Sequence, residues 1–284
     1  MTTFDLVRPS STDLRAILAH SSCTGAVAIS RLLLVVLGLL LVCAGAAAKI
    51  SKASKMGKRP SAKAGAAPSK RPAIGSESRL DSPLARKVLS AEHITKIKSE
   101  FDGTAGKPYS HCIIDGLCTE DRLRAVHDEL VNNLSANLKE SDLFKVYQTC
   151  DLANLGRNGV LMELAEKMPQ LIALRDSLYS EEFKAMIQEV TGCGELGDHV
   201  DCATNLHTTG CHLLCHDDVI GTRKVSFIIY LTSPDEEWTA EDGGALEIYP
   251  SVSEGTPDIV PLKTVLPLFN TMVRLEQSSR GRFE

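Results

Sequence analysis

The segment that decides how this chain folds reads Leu213-Leu-Cys-His-Asp-Asp-Val-Ile-Gly-Thr-Arg-Lys-Val-Ser-Phe-Ile-Ile-Tyr-Leu-Thr232. It joins a His-x-Asp triplet, His216 to Asp218, to a strand-like apolar run that contains Tyr230. A histidine and an aspartate at this spacing on a strand end supply two of the three ligands of a facial Fe(II) site. The third ligand should be a later histidine, but none of the eight histidines follows His216. The sequence therefore predicts an iron site with two assignable ligands.

Charge is divided unevenly along the 284 residues. Residues 1–76 hold 11 of the 31 basic residues and two of the 36 acidic residues, so the remainder is strongly acidic. An acidic body is a poor general binder of nucleic acid, whereas a basic tail suits anionic partners or targeting receptors. We therefore expect no direct nucleic-acid binding by the folded domain.

Residues 32–48 form an uncharged apolar run of 17 residues. The run is long enough for a short membrane anchor, and its small C-terminal residues also resemble a signal-peptide cleavage region. The flank that follows is basic, so an anchor would leave the catalytic part in the cytosol. A third interpretation is that Met56 is the working start, which would remove the run. The N-terminal segment 1–48 is thus predicted as an anchor or a signal, with membrane association through residues 32–48.

The stretch after the apolar run is predicted to be a disordered basic linker over residues 49–90. Residues 49–71 contain eight basic residues, no acidic residue, and two prolines among small residues. Such a composition cannot bury enough apolar surface to fold. We accordingly expect residues 1–90 not to pack on the folded domain, which should span residues 91–284.

Seven of the nine cysteines lie beyond residue 110, at irregular spacings. An odd number without a framework pattern favours a reducing compartment. The expected location is the cytoplasm or the nucleus, and the alternative is a membrane-anchored protein with a cytosolic catalytic domain.

Periodicity predicts helices first and strands later. Helical spacing covers residues 91–101, 119–134, 161–168 and 169–190. Strand-like runs follow at 205–215, 224–232, 245–249, 259–266 and 271–275. Helices followed by a run of strands indicate an α+β fold, with the strands forming a sandwich or jelly roll.

The quoted segment, then Trp238 and the stretch 243–250, closely resembles the Fe(II)- and 2-oxoglutarate-dependent prolyl hydroxylases that modify a small-subunit ribosomal protein in eukaryotes. Residues 108–115 and 142–148 are similar to the N-terminal region of the same family. The resemblance covers roughly residues 90–275. It implies a double-stranded β-helix, or jelly roll, flanked by N-terminal helices.

The resemblance also implies site residues and cofactors. His216 and Asp218 match the family's two proximal iron ligands, and Tyr230 matches a tyrosine whose hydroxyl holds the 2-oxoglutarate carboxylate. The cofactor implied is Fe(II), with 2-oxoglutarate and O2 as co-substrates and ascorbate in a supporting role. The partner implied is a protein substrate, a prolyl loop of a ribosomal protein.

The match to the family breaks after residue 276. The family continues into a distal histidine ligand and an arginine that pairs with the co-substrate, whereas this chain reads Gln277-Ser-Ser-Arg-Gly-Arg-Phe-Glu284. We therefore expect a domain without its last strands, with unpaired backbone rows and background turnover. The alternative is a non-catalytic remnant that retains only protein binding.

Overall fold

A computed structural model describes residues 12–13, 34–42, 80–104, 110–156, 159–197, 199–217, 223–253 and 256–276. Most of the predicted basic linker, Asp218 and residues 277–284 lie outside these ranges. The described residues form helices and antiparallel sheets, which confirms the α+β class.

Among the described residues, five α-helices cover one side of the main sheet. They are α1 (Ala91–Asp102), α2 (Glu120–Asn133), α3 (Gly159–Glu166), α4 (Pro169–Leu178) and α5 (Glu181–Thr191). The single helix expected over 169–190 is wrong, because the chain breaks between α4 and α5. The Ser180 hydroxyl accepts a hydrogen bond from the Phe183 amide at 3.2 Å, so this serine starts a new helix at the break.

In the described part of the chain, the strands form one large sheet and two two-stranded sheets. They are β1 (Thr12–Asp13), β2 (Leu34–Val42), β3 (His111–Asp115), β4 (Ser135–Glu140), β5 (Phe144–Gln148), β6 (His199–His207), β7 (His212–Leu213), β8 (Arg223–Tyr230), β9 (Leu246–Ile248), β10 (Ser251–Ser253), β11 (Thr256–Pro257), β12 (Lys263–Val265) and β13 (Thr271–Glu276). The large sheet runs β1-β4-β5-β6-β2-β8-β13-β3, and β7 pairs with β5. The two-stranded sheets are β9 with β12 and β10 with β11.

Strand β8 is buried on both faces. Val225, Phe227 and Ile229 belong to the main core beneath the helices. Tyr230 belongs to a second cluster, against which Ile228 packs. Side chains alternate across a strand, so this sheet separates a helical layer from an apolar interior on its other side.

The prediction that residues 1–90 do not pack on the domain is wrong for β2. This strand lies between β6 and β8 and is antiparallel to both. The facing backbone rows of β6 and β8 are therefore paired with β2. No helix within the described ranges is long and apolar enough to cross a membrane.

The domain boundary expected at residue 91 is also corrected. Val88 is fully buried in the main core, and Leu84 pairs by a β-bridge with Cys118. The Ala85 amide donates to the Leu117 carbonyl at 2.9 Å. Burial of the apolar side chains of Leu84 and Val88 brings residues 80–90 into the fold.

The strand expected over 205–215 is interrupted. It divides into β6 and β7 around a turn in which the Cys211 amide donates to the Thr208 carbonyl at 2.8 Å. Gly210 adopts φ 83° in this turn, a conformation that glycine tolerates without strain. The turn redirects the chain toward β5, and so it decides where the His-x-Asp triplet lies.

We predict that Glu129→Ala lowers the free energy of unfolding by about 1–2 kcal/mol, because it removes a helix cap. The Glu129 carboxylate on α2 accepts the amides of Gln170 and Leu171, at 3.0 and 2.8 Å, at the start of α4. Urea unfolding measures the loss. Asp128→Ala, at an exposed position on the same helix, serves as the control and should change stability far less. Equal effects of the two variants would contradict the capping role.

Candidate functional site

His216 lies in the loop that follows β7. Strand β7 pairs with β5, and the Leu214 amide donates to the Leu143 carbonyl at 2.9 Å. These bonds fix the backbone just before the histidine. The His216 side chain itself is exposed, and its Nδ1 atom lies 2.8 Å from the Leu214 carbonyl oxygen.

The His216 ring is held as a metal-binding histidine usually is. With the proton on Nδ1, which donates to a backbone carbonyl, Nε2 is the ring nitrogen that carries the lone pair of a neutral imidazole and can act as a metal ligand. This donor fits Fe(II), which imidazole nitrogen and carboxylate oxygen both suit. Asp218 lies outside the described residues, so the expected common direction of the pair stays a prediction. Within the described ranges, no three His, Cys, Asp or Glu side chains are grouped to hold one ion.

Tyr230 closes β8 on the face away from the helices. Its side chain is 2% exposed and clusters with Val265 and Val273. Burial raises the pKa of the Tyr230 phenol, so the hydroxyl remains protonated at neutral pH. A neutral phenol in an apolar wall can donate a hydrogen bond to a carboxylate. This chemistry fits the role that the sequence resemblance implies for it.

Asn270 connects the end of β8 to the segment just before α2, a role that sequence reasoning missed. Its backbone has φ 63°, and its amide donates to the Tyr230 carbonyl at 3.1 Å. Its side chain both accepts from the Cys118 amide and donates to the Cys118 carbonyl, each at 2.9 Å. One residue therefore fixes the strand end that carries Tyr230. The only signal in the sequence is an asparagine in a turn, which tolerates positive φ.

Arg274 on β13 is the second residue that sequence reasoning missed. It is fully buried, and its guanidinium carbon lies 5.1 Å from the centre of the Phe101 ring. Burial raises the pKa of the Cys112 thiol, and the positive charge of the nearby Arg274 guanidinium opposes this rise. Val273 points to the Tyr230 cluster, so its neighbour Arg274 points to the helices. This arginine therefore lies on the wrong face to pair with a co-substrate beside Tyr230.

The turn between β8 and β9 is held by its own side chains. The Trp238 ring nitrogen donates to the Gly243 carbonyl at 2.9 Å, and the indole is 8% exposed. The Asp242 carboxylate accepts both the amide and the hydroxyl of Thr239, each at 2.7 Å. These contacts make Trp238 a packing residue of the turn.

A family profile matches the strand-rich part of the chain. Residues 202–283 match the sequence profile of the 2OG-Fe(II) oxygenase superfamily. That range contains both His216 and Tyr230.

Three curated relatives carry hydroxylase names. Prolyl 3,4-dihydroxylase OGFOD1 of Ostreococcus tauri is 47% identical over 176 residues, which are 62% of this chain and 34% of that protein. Prolyl 3-hydroxylase OGFOD1 of Mus musculus is 31% identical over 172 residues, 60% of this chain and 28% of that protein. Prolyl 3-hydroxylase sudestada1 of Drosophila melanogaster is 27% identical over 176 residues, 61% of this chain and 30% of that protein.

The chain thus spans about a third of the length of the curated relatives it matches. The superfamily match at residues 202–283 takes in the His-x-Asp loop and the strand that ends at Tyr230. Residues 202–283 thus match the 2OG-Fe(II) oxygenase superfamily of dioxygenases, and about three fifths of the chain is similar to eukaryotic prolyl hydroxylases.

Proposed function

We propose that this protein hydroxylates a prolyl residue of a protein substrate, with Fe(II) as cofactor and 2-oxoglutarate and O2 as co-substrates. The observation that carries the proposal is the His216 ring. Its Nδ1 donates to a backbone carbonyl, which fixes the ring and makes Nε2 the ligand nitrogen of the neutral imidazole, within the residues that match the oxygenase superfamily. When bound, the iron supplies the oxidising chemistry, and 2-oxoglutarate is converted to succinate.

In this scheme the residues of the chain bind and orient the iron and 2-oxoglutarate. His216 and Asp218 would hold the iron, and the Tyr230 hydroxyl would donate to a carboxylate of 2-oxoglutarate. The turn at 208–210 and the pairing of Leu214 with Leu143 set the backbone of the metal loop. The apolar cluster of Tyr230, Val265 and Val273 excludes water around the phenol, which strengthens a hydrogen bond to a charged partner.

The same proposal extends to the fold. A jelly roll places two antiparallel sheets face to face around a core. The large sheet and the β9–β12 sheet meet this description locally, because Val265 of β12 and Leu246 of β9 pack with Tyr230 of β8. This interior cluster supports a double-stranded β-helix, with the α-helices covering the outer face of the large sheet.

For the substrate, we propose a prolyl loop of a small-subunit ribosomal protein. The sequence resemblance carries this choice, and the relatives named as prolyl hydroxylases support the residue type. Ascorbate would support turnover by keeping the iron reduced. A location in the cytoplasm or nucleus, where such a substrate is made and assembled, is part of the same proposal.

The test is succinate formation by the full chain with Fe(II), 2-oxoglutarate, ascorbate and a ribosomal prolyl-loop peptide. We expect succinate together with a peptide mass gain of one oxygen; background levels of both would uphold the expectation of background turnover drawn from the sequence. A peptide in which alanine replaces the proline is the control and should yield neither product. Peptide binding without succinate or added oxygen would overturn the proposal in favour of a protein-binding module without turnover.

We predict that Tyr230→Phe weakens 2-oxoglutarate binding by roughly tenfold, because one hydrogen bond to a charged group is worth about 1.5 kcal/mol. Titration calorimetry with Mn(II) in place of Fe(II) measures this change. The metal affinity itself should be retained, because the phenol does not touch the His216 loop in the proposed roles. Unchanged 2-oxoglutarate affinity would remove Tyr230 from the co-substrate site.

A further inference from the structure

Strand β2 is apolar at every position, reading Leu-Val-Val-Leu-Gly-Leu-Leu-Leu-Val from Leu34 to Val42. It pairs along its whole length with β6, from Leu34 opposite His207 to Val42 opposite His199. On its other side it pairs with β8, from Val36 opposite Tyr230 to Val42 opposite Arg223. The strand is therefore interior to the large sheet, with a neighbour along each edge.

The register of β2 follows the two faces of β8. Positions 37, 39 and 41 lie opposite Ile229, Phe227 and Val225, which belong to the core beneath the helices. Positions 36 and 38 lie opposite Tyr230 and Ile228, which belong to the interior cluster. Residues directly opposite in an antiparallel pair share a face of the sheet. Both parities of this strand thus lie opposite apolar residues of β8, whereas β6 places the polar residues Asn205 and Asp201 opposite positions 36 and 40.

A strand buried on both faces is continuously apolar rather than alternating. The same pattern is typical of a membrane segment, so hydropathy alone does not separate the two. The pairing separates them, because nine backbone positions of β2 have a partner on β6. Without β2, facing edges of β6 and β8 would lose their hydrogen-bonding partners, at a cost that buried backbone groups rarely bear.

We propose that Leu34–Val42 is an internally donated strand on which the candidate site depends. Strand β6 leads through the turn at 208–210 to the His216 loop, and β8 ends at Tyr230. Strand β2 is the element between them. It therefore holds together the two strands from which the metal loop and the co-substrate tyrosine project.

The donor is the same copy of the chain. The 37 residues from 43 to 79 connect β2 to the rest of the domain. At about 3.3 Å per residue, such a connection can reach over 100 Å, more than a small domain measures. A tethered strand also has an effective concentration of the order of millimolar, which exceeds the concentration of strands from other copies.

A native cysteine provides the test. Leu39 lies directly opposite Cys202, so Leu39→Cys places two cysteines side by side across the β2–β6 pair. Leu40→Cys is the matched control, because position 40 lies opposite Asp201 and Ser226 and on the other face from Cys202. Each full-length variant is refolded in a glutathione redox buffer, and linked peptides are identified by mass spectrometry after proteolysis. A double variant, Leu40→Cys with Asp201→Cys, tests the adjacent pair. Successive opposite pairs in an antiparallel sheet alternate between hydrogen-bonded and non-hydrogen-bonded, so the two tests sample both kinds of pair.

We expect a 39–202 disulfide in Leu39→Cys within a single chain, and no linkage of position 40 to Cys202. Linkage of 40 to 201 in the double variant would support the same register. A 39–202 linkage found in covalent dimers would overturn internal donation in favour of a strand from a second copy. Absence of both linkages would overturn the strand assignment, as expected if the run sits in a membrane instead.

The assignment of Leu34–Val42 as a strand between β6 and β8 can be tested independently of turnover. The cross-link reports the position of β2 whether or not succinate is formed, so failure of the proposed hydroxylation leaves the strand assignment intact. Turnover that survives removal of residues 1–48, conversely, would overturn the dependence of the site on this strand.

Discussion

Replacing His216 with alanine is expected to abolish succinate formation and to weaken metal binding by at least about 100-fold. Loss of a residue that merely orients a metal ligand costs about 10–100-fold in affinity, so loss of the ligand itself should cost more. Metal titration with Mn(II) measures the affinity directly. A second readout is the thermal midpoint, which saturating metal should raise in the wild type and leave nearly unchanged in the variant.

The control for His216→Ala is His212→Ala. His212 is exposed on β7, four residues earlier in the same part of the chain, and has no proposed role at the metal. Its replacement should leave metal affinity within about twofold, because the side chain lies outside the proposed ligand set. Equal loss of affinity in both variants would mean that the effect comes from the loop as a whole. Full metal affinity in His216→Ala would remove the iron assignment.

Asn270→Ala is expected to lower the free energy of unfolding by about 2–4 kcal/mol. The change removes the two side-chain hydrogen bonds to Cys118, each worth about 0.5–1.5 kcal/mol. It also leaves alanine at φ 63°, which costs about 1–2 kcal/mol more. Urea unfolding monitored by Trp238 fluorescence gives the difference, since that indole is buried in the native protein.

Asn270→Gly separates the two causes. Glycine accepts the positive φ, so this variant should lose only the hydrogen-bond contribution and remain more stable than Asn270→Ala. If Asn270→Ala proves as stable as the wild type, the side-chain bonds to Cys118 do not hold this junction. If the glycine variant is the less stable of the two, backbone strain is not part of the cost.

Local pattern was sufficient for two elements whose own apolar spacing is regular. The helix over 91–101 and the strand over 224–232 were predicted from spacing, and the structure has them as α1 and β8 within one or two residues. The break between α4 and α5 was missed, because the apolar spacing continues across Ser180, whose side chain caps the start of α5. The break between β6 and β7 was missed for a similar reason, since Gly210 acts through its conformation and not its hydropathy.

Site residues divide along the same line. His216, Asp218 and Tyr230 could be named from the His-x-Asp spacing and the family resemblance, because they carry recognisable chemistry. Asn270 and Arg274 could not, because their roles depend on partners far away in sequence. Asn270 contacts Cys118 across 152 residues, and Arg274 lies over Phe101 on the helical layer. Contacts between side chains so far apart in sequence can be seen only in the folded structure, where the strands are paired.

The apolar run at residues 32–48 shows most clearly what each level of description determines. The sequence by itself determined that these residues must leave water, because 17 uncharged residues in succession have too much apolar surface to remain solvated. It did not determine where they go, because hydrophobic burial has no direction and a bilayer and a protein interior satisfy it equally. Only the tertiary structure decided this, by leaving a position between the facing backbone edges of β6 and β8. Leu34–Val42 lies in that position, where its backbone pairs along both edges.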